Sequence, residues 1–141
     1  MNKVFLAFIG LTAILLYFDS QRFVQSFTNG ASVQRTGGLG EGNCTSCHGL
    51  VPLNSGIGSV SFNIAGNPTQ LQGGQTYDVT VTTAFTGRSK FGFQIKAVDG
   101  SNTQLGTFSL PNASEFQINN SGGRQYVTHR SAGTAGGTNS R

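Results

Sequence analysis

Two cysteines three positions apart, with a histidine directly after the second, constrain this 141-residue chain more than any other feature. The stretch Cys44-Thr45-Ser46-Cys47-His48 holds the only two cysteines and one of the only two histidines. Its spacing is that of a covalent c-type haem site, in which two thiols add across the haem vinyl groups and the next imidazole reaches the iron. Cys44, Cys47 and His48 are therefore the expected haem-binding residues, with Thr45 and Ser46 as spacers. Three other readings use the same side chains. A Cys44–Cys47 disulfide closes so short a loop that it removes little chain entropy, and it leaves His48 a coincidence. Zinc needs four tetrahedral ligands; Cys44, Cys47, His48 and His129 are all the soft ligands there are, and adjacent Cys47 and His48 do not easily share one ion. A thioredoxin-type pair belongs at a helix start in a βαβ pattern, and no helical periodicity follows the motif.

The N-terminus places that chemistry in a compartment. Met1-Asn2-Lys3 precedes a mostly apolar run from Val4 to Phe18, a secretory signal pattern. That run falls short of the roughly 20 residues a membrane-spanning helix needs. Residues 1–31 are expected to be a signal peptide, with Asn29-Gly30-Ala31 the nearest approach to a cleavage site. An uncleaved N-terminal anchor is the alternative and the one expected route to a membrane. Export to the periplasm, the cell surface or the medium suits haem attachment, which belongs outside the reducing cytoplasm. Beyond Ala31, seven Lys and Arg stand against four Asp and Glu, spread from Arg35 to Arg141. So dispersed a charge does not suggest nucleic-acid binding. With 21 glycines and few charges, the chain has the composition of a secreted β-rich domain rather than a helical bundle.

Residues 32–57 read as a Gly-rich loop around the motif, with Thr36–Gly42 a flexible lead-in and Leu50, Val51, Leu53 and Ile57 available to cover one haem face. From residue 58 to 141 a β-domain is expected. Val60, Phe62 and Ile64 alternate with polar residues, as do Tyr77, Val79 and Val81, and then Phe91, Phe93, Ile95 and Ala97 against Lys90, Gly92, Gln94 and Lys96. On that phase Gln94, Lys90 and Lys96 face solvent. A bulged strand is expected across Leu105–Leu110, then strands at Phe116–Ile118 and Gln125–His129 separated by a loop at Asn119–Gly123, and no periodicity after Ser131. Six short strands with turn signals between them argue for an antiparallel β-sandwich.

Arg35-Thr36-Gly37, Gly40-Glu41-Gly42, Gly73-Gly74-Gln75-Thr76-Tyr77, Lys90-Phe91-Gly92-Phe93-Gln94 and Arg124-Gln125-Tyr126-Val127-Thr128-His129 together resemble the Reeler (reelin-type) domain, and more closely its bacterial exported relatives, the choice-of-anchor V proteins. The resemblance implies an immunoglobulin-like sandwich on an exported surface or periplasmic protein. It also implies further strands, usually with a Trp, after the point where this sequence stops, so the sandwich is expected to be incomplete at its C-terminus. His129 is the second candidate iron ligand by elimination, because the sole Met is Met1; the resemblance equally makes it a structural histidine. With His129 bound, a haem here would carry single electrons to and from a redox partner that the sequence does not identify. With the sixth position open, small-ligand sensing or peroxidase-like chemistry is the alternative, although no dedicated distal acid or base is present. The chain is otherwise not expected to be an enzyme, and a haem-free adhesion or ligand-binding module is the remaining class.

Overall fold

The computed structural model describes residues 27, 29–49 and 52–130 and the backbone of 138–140. The expected signal segment falls almost wholly outside these residues. Among the described residues no helix is long and apolar enough to cross a membrane.

Among the described residues six strands form two antiparallel three-stranded sheets, the all-β sandwich expected from the alternation and consistent with the family resemblance. In the first sheet β1 (Ser59–Ile64), β2 (Val79–Ala84) and β6 (Thr138–Ser140) lie side by side in that order. Phe62 stands opposite Val81 and Val60 opposite Thr83, so the apolar residues of β1 share a face with the inward residues of β2. Burial is nevertheless uneven, with Val81 4% exposed and Phe62 73%. The alternation in β1 marks a strand correctly but does not place its apolar side under cover.

The second sheet has the order β3 (Gln94–Ile95), β5 (Arg124–His129), β4 (Phe116–Ser121). The expected loop at Asn119–Gly123 is shorter than its polar composition suggests, because β4 runs on to Ser121. Gly122 and Gly123 then make a two-residue turn with φ of 56° and 75°. Consecutive left-handed residues are what a tight hairpin requires, and glycine adopts them without strain. No strand covers Leu105–Leu110 among the described residues. Val98 forms an isolated bridge with Gln104, Leu105 N donates to Ala97 O, and Gly106 turns the chain at φ 60°.

Successive residues of a strand face opposite sides, and paired residues face the same side. One side of the second sheet therefore carries Ile95, Val127 and Ile118 with Phe116 and His129. The other carries Gln94, Thr128 and Gln117, then Tyr126 with Asn119, then Arg124 with Ser121. This polar side is not open to water, because Tyr126 and Thr128 are fully buried. Residues 29–41 lie over it.

Candidate functional site

Asn43, in extended conformation, caps a short 3-10 helix over Cys44–Ser46: its Oδ1 accepts from the Thr45 backbone N at 2.9 Å and from Thr45 Oγ1 at 2.6 Å. Thr45 is thus more than a spacer. Cys47 N and His48 N both donate to Cys44 O, at 3.2 and 2.9 Å, which closes the motif into one helical turn. In such a turn residues three apart lie on one side, so the sequence spacing becomes two thiols presented together. Cys44 and His48 are exposed, Cys47 is half-buried, and both cysteines are free thiols. No group of three or more His, Cys, Asp or Glu side chains among the described residues could hold a metal ion, which leaves the zinc reading without a ligand set.

The segment before the motif is fastened to the polar side of the second sheet. Gln94 Oε1 accepts from Arg35 N at 2.8 Å, while its Nε2 donates to Ser32 O at 3.1 Å and Ala31 O at 3.4 Å. Gln34 Nε2 donates to Ser121 Oγ at 3.3 Å, and Gln117 Nε2 donates to Asn29 O. Three residues ahead of Cys44, the Glu41 carboxylate is 5% exposed and meets Lys96 Nζ at 2.8 Å. Thr36 Oγ1 and Tyr126 OH each donate to it at 2.6 Å. Arg124 Nε donates to Tyr126 OH at 3.1 Å and stands 4.0 Å from Glu41. Desolvation opposes the Glu41 charge, but the hydrogen bonds from Lys96, Thr36 and Tyr126 and the ammonium's field outweigh it and hold the carboxyl at a pKa of about 2. Lys96 and Gln94 are therefore anchors for the segment that carries the Cys44–His48 motif, not the solvent-facing residues their phase suggested.

His129 lies elsewhere. It projects from the apolar side, where its ring is tilted against Phe93 with centroids 6.4 Å apart. Nδ1 accepts from Phe93 N at 3.2 Å, while the Phe93 carbonyl is taken by Thr128 Oγ1 at 2.8 Å. The Phe93 carbonyl lies 3.4 Å from the same Nδ1, so both polar groups of the Phe93 backbone face this ring nitrogen. The structure brings Cys44, Cys47 and His48 together and leaves His129 across the sheet from the loop that holds them.

Two further features surround the motif. Leu53 and Ile57, two of the residues expected to cover a haem, are 56% and 85% exposed; Leu50 and Val51 fall outside the described residues. Arg35 supplies the second. A Cβ on Gly42 would lie 2.8 Å from Arg35 Nη1 and 3.3 Å from Ser46 Oγ, so the absence of a side chain at 42 lets the guanidinium sit against the turn. Among the described residues Arg35 Nε is buried with no partner. Reading the sequence missed Arg35, Glu41 and Tyr126 as parts of the site. Their only signal lay in the Arg35-Thr36-Gly37, Gly40-Glu41-Gly42 and Arg124–His129 stretches that carried the family resemblance.

Comparison with known proteins adds one finding. The family model for the Reeler domain matches residues 45–135, which include Cys47, His48 and His129. No curated protein and no solved structure matches the chain.

Proposed function

The chain belongs to the Reeler domain family, a family of extracellular β-domains, and from that premise we propose that it is an exported domain that carries haem c at the cell envelope, where the haem would transfer single electrons or bind a small ligand according to what fills its sixth iron position. Cys44 and Cys47 would hold the haem through thioethers, and His48 would be its axial ligand. One observation supports this above others: the capped turn presents two free thiols on one side with the exposed His48 directly after them. The haem itself would supply the one-electron couple. The protein's part is to hold the turn rigidly, which it does through Asn43 at the cap and Glu41 at the sheet. An origin among bacterial choice-of-anchor V proteins fits this reading.

The position of His129 favours the second of these readings, binding of a small ligand at a sixth position that no described residue fills. Both readings rest on attachment, which is directly measurable. Protein made in a host with haem-attachment machinery should keep its haem through denaturing electrophoresis, and Cys44→Ala with Cys47→Ala should abolish the stain. Colourless wild-type protein from the same host, with two alkylatable thiols or one disulfide, would replace both readings with a haem-free adhesion or ligand-binding module.

A further inference from the structure

We propose that β1 is a dimerisation edge, which pairs antiparallel with the β1 of a second copy of this chain about a two-fold axis at Phe62. β1 lies at the end of its sheet, with β2 on one side and no described strand on the other. Its first five residues are exposed, Val60 at 70% and Phe62 at 73%. Ala65 N donates to Asp78 O at 2.9 Å, the next pair in the register after Ile64 and Val79. Main-chain groups of an antiparallel strand point to alternate sides, so the odd-numbered residues of β1 bond to β2, and Val60, Phe62 and Ile64 turn theirs to the open edge. Ile64 O accepts from Asn67 N at 3.0 Å, which leaves the N–H and C=O groups of Val60 and Phe62 free for a partner among the described residues.

Edge strands are ordinarily guarded by charge, proline or a bulge. β1 has none of these: Ser59–Ile64 pairs with β2 without interruption, and from Gly42 to Tyr77 the chain carries no Asp, Glu, Lys or Arg. That neutrality selects the partner. It offers nothing to a charged molecule, and it sets no like charges against each other when the same surface meets itself. The register is fixed as well. An axis at Phe62 puts Phe62 opposite Phe62 of the second copy, Val60 opposite its Ile64 and Ser61 opposite its Asn63, so apolar groups share one face and polar groups the other. A slip by one residue mixes the two. In β2, Val81 stands opposite Phe62 and is 4% exposed, so the cover over that face stops short of β1. The second copy's Phe62 continues the row that Val81 and Phe62 begin. A stable interface buries about 800 Å² per partner, and one edge strand supplies less, even with Ile57 just before it at 85% exposed. The association is therefore weak and concentration-dependent.

Sedimentation of the full chain over a range of concentrations should show a monomer–dimer equilibrium, and Phe62→Lys should weaken it by about tenfold or more. Because Phe62 is exposed, that variant should keep the wild-type melting temperature at concentrations where both are monomeric. Covalent trapping checks the register. On the Cys44→Ala, Cys47→Ala background, Phe62→Cys should give a disulfide-linked dimer under mild oxidation, since Cα atoms facing across the axis lie about 5.5 Å apart, within disulfide range. Ser59→Cys, three residues from the axis in each copy, should not. A wild type that stays monomeric throughout, a dimer indifferent to Phe62→Lys, or equal trapping at 59 and 62 would overturn the proposal, the first by leaving the edge to a strand of another protein. Cys44, Cys47 and His48 take no part in the pairing, so each of these results leaves the haem reading where it stands.

Discussion

Glu41 keeps its charge in a buried place because three donors converge on it, and each comes from a different part of the chain: Thr36 from its own loop, Lys96 from just beyond β3 and Tyr126 from β5. Removing that charge leaves the Lys96 ammonium buried with only Asn102 Oδ1 at 2.9 Å and Gly38 O at 3.5 Å. Glu41→Gln should therefore cost about 3 kcal/mol in denaturant unfolding at neutral pH. The pH dependence has a definite sign. The folded pKa of about 2 lies below the ordinary 4.5, so the ionised carboxylate adds stability that is complete above about 4.5 and is lost as pH falls toward 2. Melting curves of wild type and Glu41→Gln should converge over that window; curves that stay parallel would mean that the carboxylate is not held in this network. Gln94 belongs to the same set of anchors. Its three hydrogen bonds to residues 31–35 predict that Gln94→Ala costs about 1–3 kcal/mol, where a solvent-facing glutamine would cost almost nothing.

At the scale of elements, the second sheet explains why period-two reading found strands but misjudged one of their sides. Phe93, Ile95, Phe116, Ile118 and Val127 were legible as an apolar side, and most of their strands lie where the alternation placed them. Gln94 and Lys96 alternate with them and read as wet, because alternation records which residues share a face and not what covers it. The cover is residues 29–41, whose glycines and polar side chains carry no period of their own. The 3-10 turn was legible only as chemistry, since a single turn is too short for a hydrophobic pattern. His129 was a ligand candidate by elimination alone, and elimination of other ligands says nothing of which side of β5 a residue occupies. Its location is testable through Gly92, where an added Cβ would fall 2.9 Å from His129 Nδ1. Gly92→Ala should destabilise the fold by about 1–3 kcal/mol, and His129→Ala in the same chain should recover part of that loss. Gly100→Ala, with nothing within 4 Å of its Cβ position, is the control. Additive losses at 92 and 129 would show that the two residues do not touch.

For the molecule as a whole, the second sheet separates two histidines that simple ligand counting would join. His48 follows a turn fastened to the polar side, and His129 packs with Phe93 on the apolar side. Haem attached at Cys44 and Cys47 would then have His48 as its one ligand among the described residues, which makes the optical spectrum of the haem-loaded protein the most direct test. Wild type should be high-spin, should bind carbon monoxide readily when reduced, and should be unchanged by His129→Ala, whereas His48→Ala should alter the spectrum. A low-spin wild type that turns high-spin in His129→Ala, with a gain in carbon monoxide affinity, would contradict the account.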